Sequence, residues 1–276
     1  MLAAFGGGLA ALAVPGARAE SQAGVCTFGV FPYVPALKIG DLFAPMAADL
    51  CIALGTEIQL RTKETFEKFA AELAAGTYDI VLLHPFLYVD GHTQQGYTAI
   101  ARLDEQLRAV ILSRRPGSIA KLADLRGETL ALPPQLAGVS YLIRLAMLDE
   151  GLEPGTDLQL RYYQTKVSCL HAVATEQAVG CVLPSFIGRQ LEAIDKMHLE
   201  RIWQSEPITS LVVAVHPRLP QAARDRLQQR MVAWDDTDDG RQLLADLSWP
   251  RLTPAADEDY ETIRLLADRI RAYPSG

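Results

Sequence analysis

The chain has 276 residues, 49% of them apolar, and a formal charge of −7. That apolar content supports a sizeable core, as one large domain or two smaller lobes, and excludes a disordered chain. The acidic balance lacks the basic footprint that nucleic acid requires, so nucleic acid is excluded as a partner.

Residues 2–19, LAAFGGGLAALAVPGARA, are small and apolar and end in Ala17-Arg18-Ala19, the small-x-small pattern that signal peptidase accepts. They read as a secretory signal cut before Glu20, with no Lys or Arg ahead of the apolar run. Gly6-Gly7-Gly8 and Pro15 suit a stable buried helix poorly. After residue 19 no apolar run reaches the roughly 18 residues of a membrane span. The mature protein is therefore expected in the periplasm as a soluble protein. Val25 directly before Cys26 is too bulky for a lipoprotein site.

From Val25 the sequence alternates strands and helices. VCTFGVF (25–31) is β-rich, and after Pro32 and Pro35 the segment DLFAPMAADLCIAL has helical apolar spacing up to Gly55. EIQLRT predicts a strand, TFEKFAAELAAG an amphipathic helix closed by Gly76, and YDIVLL a strand without polar alternation, as in one covered on both faces. This order implies a parallel, doubly wound sheet with right-handed crossovers. QLRAVILSRRPG leads into a second unit: KLADLRG, the strand ETLALP, the helix VSYLIRLAMLDEG, the strand DLQLRYY, a helix from about Val167 and the strand VGCVLP. SLVVAVHPRLP then resembles QLRAVILSRRPG in character. Two matched strands flanking an inserted α/β unit predict two lobes joined by a double crossover: lobe one over 24–112 plus 210–276, lobe two over 113–209. The helical, charged part from Gln221 is expected to return to lobe one.

Four cysteines in an exported chain imply two disulfides, with three pairings open. Chain order favours Cys26 with Cys51, because one opens the first strand and the other closes the following helix; Cys169 with Cys181 then follows. No C-x-x-C and no His pair at ligand spacing is present, so no metal and no cofactor is expected.

Ligands of open α/β sheets bind beyond the carboxyl ends of the strands. This selects the loops FPYVPA, HPFLYV, PPQLAGVS, QTKVS and PSF. Tyr33 offers a phenol after the first strand, or packs between two prolines. His84 could donate to an anion, or be a satisfied core histidine, and Tyr88 sits one turn further on. Gln135, Gly138 and Ser140 precede or begin a helix whose free N–H groups attract anions, with Ser140 equally a helix cap. Thr165, Lys166 and Ser168 repeat the arrangement, with Lys166 the cation of these loops or a surface lysine. His171 reads as a packing residue, and Asp235-Asp236-Thr237-Asp238-Asp239 as a solvated helix end. No G-x-S-x-G, H-E-x-x-H, P-loop or G-x-G-x-x-G occurs in the mature chain, so no catalytic residue is assigned.

The same loops carry a family likeness. FGVFPYVPA, FAPMAADLCIALG, AAGTYDIVLLHPFLYV, LADLRGETLALP, DTDDGRQLLADLSW and DEDYETIRLL together resemble the phosphate/phosphite/phosphonate-binding proteins of ABC importers. The resemblance implies an α/β, two-lobed type 2 periplasmic-binding fold that closes over a small anion and delivers it to a membrane permease or a sensor kinase, as a monomer. It puts Tyr33 and Tyr88 on pocket positions and aligns Lys166 with the family's pocket histidine. Gln135-Leu136-Ala137-Gly138 replaces the family's Ser-Thr-Ser-Gly loop, and Val179 replaces an acidic residue. Losing that many polar partners changes the ligand set. An enzyme on this scaffold is the remaining alternative.

Overall fold

The computed structural model describes residues 25–114, 119, 121–186 and 199–272. The secretory signal expected at 1–19 lies outside these residues. The chain runs β1 (Cys26–Val30), α1 (Ala36–Leu54), β2 (Ile58–Arg61), α2 (Phe66–Ala74), β3 (Ile80–Leu83), α3 (Pro85–Gln95) and β4 (Thr98–Leu103). It crosses through β5 (Gln106–Leu107) to β6 (Ala109–Ser113), β7 (Thr129–Leu132), α4 (Gly138–Asp149), β8 (Gln159–Tyr162), α5 (Lys166–Ala174), β9 (Gly180–Pro184) and β10 (Glu200–Gln204). It returns through β11 (Ile208–Thr209) to β12 (Val212–Val215), α6 (Gln221–Val232), α7 (Asp238–Leu247), β13 (Leu252–Pro254) and α8 (Glu261–Arg271).

Two mixed sheets result, ordered β13-β4-β12-β3-β1-β2 and β10-β6-β9-β7-β8, each the centre of one lobe. β1 lies parallel between β2 and β3, while the returning β12 inserts antiparallel between β3 and β4. The central position of β3 explains its unbroken apolar run: all four residues are buried, each stabilising the fold by about 1.5–3 kcal/mol. α1 starts five residues before the expected Asp41, directly after Pro35, and tolerates Pro45 in its interior. Its stop is as expected, with Gly55 in the left-handed conformation and its N–H donating to the Cys51 carbonyl.

The crossings differ from the sequence reading. β6 pairs with β9 and β10 in the second sheet, so lobe two takes in residues 109–112, which the strand order in the sequence places in lobe one. The crossing pair is instead β5 with β11, which hydrogen-bond to each other antiparallel, Leu107 opposite Ile208. A polypeptide that crosses twice leaves two short unsatisfied edges, and pairing them satisfies both.

Cys169 and Cys181 form a disulfide that ties α5 to β9. Cys26 and Cys51 are free thiols, contrary to the expected pairing. Ile39, Phe43, Met46, Ala47 and Leu50 make the buried stripe of α1; Cys51, about 100° round from Leu50, leaves that stripe, whereas Cys26 is buried at the start of β1. A disulfide needs two Cβ vectors directed at each other.

α8 packs on both α3 and α4, and so touches both lobes. No described helix is long and apolar enough to cross a membrane.

Candidate functional site

The cleft between the lobes is open to solvent and lined from both sides. Lobe one contributes Phe31, Pro32 and Tyr33 after β1, Phe66 at the start of α2 and His84 after β3. Lobe two contributes Pro133, Pro134 and the first residues of α4, then Gln164 to Lys166 before and at the start of α5, and Leu183, Pro184 and Phe186 at the end of β9. Leu107, in the crossing strand β5, and Leu211, just after β11, complete it. The walls are dominated by aromatic, proline and aliphatic side chains. Phe31 is the hub on one side, with ring centroids 5.0 Å from Tyr33, 5.9 Å from Phe66 and 5.5 Å from His84.

His84 is the N-cap of α3: its Nδ1 accepts the Leu87 N–H at 3.4 Å. With Nδ1 occupied as an acceptor, the proton sits on Nε2, which donates to the Leu136 carbonyl of the other lobe at 2.9 Å. Burial pushes the ring's pKa down to about 3, and the bond to Leu136 only partly opposes this. His84 is therefore neutral and has no N–H left for an anion. Its ring also abuts Gly138, where a Cβ would stand 3.3 Å from the His84 Cγ. A glycine at the start of α4 lets the two lobes approach this closely.

Lys166 occupies the first turn of α5, whose N-cap Thr165 accepts the Ser168 N–H while the Ser168 hydroxyl receives the Thr165 N–H. That reciprocal cap accounts for Ser168, which does not line the cleft. The Lys166 ammonium lies 6.0 Å from the centre of the Tyr33 ring and makes no ion pair among the described residues. Its pKa is lowered, first by burial and then by repulsion from Lys38 on the facing lobe. Burial also raises the Tyr33 phenol above its ordinary range. α4 begins with Ala137 as N-cap and no side-chain cap, so no side chain caps the N–H groups of Gly138 and Val139, two residues that line the cleft.

Of the residues chosen from sequence, Tyr33, His84, Gly138 and Lys166 line this cleft. Ser140 is buried and donates to the Pro133 carbonyl at 3.2 Å, a local turn contact. Gln135 lies in the turn ahead of α4 and lines a separate hollow behind the cleft, with Phe86, Asp90, Tyr141, Arg144 and Arg271. Tyr88 also lies away from the cleft. Its hydroxyl donates to Asp257 at 2.6 Å and accepts the Ala99 N–H at 3.3 Å, while its ring packs 4.4 Å from Tyr260. The capped start of α3 turns His84 toward the cleft and Tyr88 toward the C-terminal segment. His171 does not line the cleft. Phe66, Leu107 and Leu211 went unnoticed in the sequence; the first follows β2, whose carboxyl end obeys the same rule as the loops that were chosen. Among the described residues no three His, Cys, Asp or Glu side chains gather to hold a metal.

The chain matches the family of ABC-transporter phosphonate periplasmic substrate-binding proteins over residues 28–260. Its fold is similar to that of a binding-protein component of a phosphonate ABC transporter from Pseudomonas aeruginosa, at 16% identity and a TM-score of 0.77 over 90% of this chain and 87% of the other. PhnD1 from Prochlorococcus marinus, solved with methylphosphonate, gives 13% identity and 0.79 over 90% and 99%. A Xanthomonas citri protein bound to ATP gives 14% and 0.77 over 91% and 99%. No curated protein matches the chain in sequence. The family match covers most of the chain and agrees with two lobes joined by a paired double crossover: the chain belongs to the family of periplasmic substrate-binding proteins of phosphonate ABC transporters.

Proposed function

We propose that the chain is exported by its first 19 residues and works as the monomeric solute receptor of an importer, closing its lobes over a small anion and presenting it to a membrane permease. The observation that carries this reading is the Lys166 ammonium: half-buried at an aromatic cleft, over the Tyr33 ring, and without an ion-pair partner among the described residues. A cation taken partly out of water without a counter-charge is costly, and an anionic ligand supplies the missing charge. The uncapped start of α4 adds N–H donors on the same side. Tyr33, Gly138 and Lys166 are the proposed contacts; His84 holds the lobes together.

The paired β5 and β11 are the natural hinge, since they are the segments that join the two sheets. The reading is one of binding, not turnover: both nitrogens of the cleft histidine are engaged, which leaves it unable to shuttle protons. The family consists of substrate-binding proteins, and methylphosphonate is the ligand of one structural relative.

The test is a thermal-shift and calorimetric screen of the mature protein against phosphate, phosphite, sulfate, alkyl and aryl phosphonates and carboxylates. A binder raises the melting temperature by mass action, and Lys166→Gln abolishes the shift. No shift with any anion, or a shift that Lys166→Gln leaves intact, overturns the reading.

A further inference from the structure

The hollow behind the cleft takes its walls from both lobes: Phe86 and Asp90 of α3, Gln135 ahead of α4, Tyr141 and Arg144 of α4, and Arg271 at the end of α8. No residue lines both it and the cleft. Tyr141 and Arg144, three positions apart, share one face of α4, and Tyr141 stacks on Phe86 with ring centroids 4.6 Å apart. The two arginines are unequally matched. Arg271 is held twice, by Asp90 at 2.6 Å and by Asp268 at 2.8 Å. Arg144 makes no hydrogen bond or ion pair among the described residues. The other half-buried arginines described all have one: Arg102 and Arg264 meet Asp259 and Asp257, while Arg108 and Arg224 donate to main-chain carbonyls. The Tyr141 hydroxyl and the Gln135 amide are likewise uncommitted among the described residues. Burial, with Asp90 adding to it against Arg144 and Arg271, pushes the Tyr141 phenol up to about 12, so it keeps its proton to donate.

We infer that this hollow is a binding site for a small carboxylate, held by the Arg144 guanidinium and by hydrogen bonds from the Tyr141 hydroxyl and the Gln135 side-chain amide. A guanidinium presents two parallel N–H donors that match the two oxygens of a carboxylate. The phenol and the amide then serve lone pairs that the guanidinium leaves over. Charge selects a monoanion: Arg144 supplies one unmatched positive charge, whereas Asp90 in the same hollow repels a second negative one. Phosphate and sulfate dianions are disfavoured on that ground. A partly buried guanidinium without a counter-charge is costly, and a carboxylate supplies that charge.

The test is a thermal-shift titration with sodium acetate, exchanged for chloride at constant ionic strength, on the full mature chain. Using Lys166→Gln as the background keeps the cleft cation out of the measurement. Acetate is expected to raise the melting temperature saturably there, as mass action requires. Adding Arg144→Gln should raise the half-saturating concentration about tenfold or more, the loss of a charge-assisted pair. Adding Tyr141→Phe should raise it about fivefold, the loss of one neutral hydrogen bond. On the parent protein alone, acetate should move the amide resonances of residues 135–144. Resonances that stay in place overturn the inference without recourse to any variant. So do equal titrations with and without Arg144→Gln, or an acetate effect that Lys166→Gln abolishes, which would put the carboxylate in the cleft. Sulfate saturating the Lys166→Gln protein at a lower concentration than acetate overturns the choice of a monoanion.

Discussion

The Nε2–H of His84, in lobe one, donates to the main-chain carbonyl of Leu136, in lobe two, across 2.9 Å. The same ring caps α3 through Nδ1, so one neutral imidazole ends a helix and clasps the facing lobe. Around it, Phe86 stacks on Tyr141 at 4.6 Å, and Arg269 of α8 pairs with Asp149 at the end of α4. His84→Asn separates the two functions, because an asparagine oxygen still caps α3 but its shorter side chain does not reach Leu136. The variant is expected to fold, and its lobes to lie further apart without ligand. A lost neutral hydrogen bond of about 1 kcal/mol corresponds to roughly a fivefold loss in the closed population. Small-angle scattering and interlobe fluorescence transfer read that shift; identical distances in the variant and the parent would refute the clasp.

Acid stability follows from the same residue. The folded pKa of His84 is depressed to about 3 from 6.5, so below pH 6.5 the unfolded chain takes up a proton that the folded one refuses. Stability is fully present above 6.5 and falls as pH drops toward 3, at about 1.4 kcal/mol per pH unit at the steepest. Asp49, Asp79 and Asp257 add to the loss at lower pH. Burial pushes these carboxyls up, but hydrogen bonds from Arg230 and Trp234, from Thr27 and Arg218, and from Tyr88 and Arg264 outweigh it and hold them below their ordinary range. Urea titrations at stepped pH should show the slope between 6.5 and 4 shrink in His84→Asn, while the more acidic part persists. An unchanged slope would mean that His84 is protonated in the folded protein.

How much of this was readable from sequence depends on how local each interaction is. The buried run Ile80–Leu83 ending in His84 announced a central strand reaching its sheet edge, because apolar continuity is a property of the strand alone. The Gly55 stop was equally local. The insertion of β12 between β3 and β4 was not legible, since nothing in SLVVAV states which neighbours it pairs with. The fate of Tyr88 depended on Asp257, 169 residues away, and the tautomer of His84 on Leu136, 52 residues away. Strand ends mark the cleft loops locally, whereas the bonds of the Ser140 and Ser168 hydroxyls to the Pro133 and Thr165 carbonyls exist only once the loops have folded.

The cysteines offer a check that needs no ligand. Alkylation of the oxidised mature protein in denaturant should label Cys26 and Cys51 and spare Cys169 and Cys181. In the native protein Cys26 should stay unlabelled, since burial, aided by Asp79, pushes its thiol up to about 12. Reduction should then cost the fold about 3 kcal/mol, the loop-entropy value for a bridge that closes a short loop of this kind, here with a separation of 12 residues. A lower melting temperature in reductant reports that loss. Mass spectrometry finding Cys26 linked to Cys51 would contradict the structure directly.

Tyr88→Phe distinguishes a pocket hydroxyl from a structural one. In the fold, the Tyr88 hydroxyl gives its proton to Asp257, which Arg264 also holds, and takes the N–H of Ala99 on β4. Removing it leaves a buried N–H without its acceptor and Asp257 with one donor fewer, a penalty of about 1–3 kcal/mol. The C-terminal segment is affected first, because Asp257 and Tyr260 stand just before α8. That helix packs on both lobes, so loosening it should lower thermal stability and raise amide exchange along 257–271. The cleft is lined without Tyr88, so the affinity of whichever anion the screen identifies should change less than twofold. A hydroxyl that touched the ligand would give the opposite pattern, at least a tenfold loss of affinity with little change in melting temperature. Measuring both quantities on the one variant therefore decides between the position that the family likeness implies and the position that the fold shows.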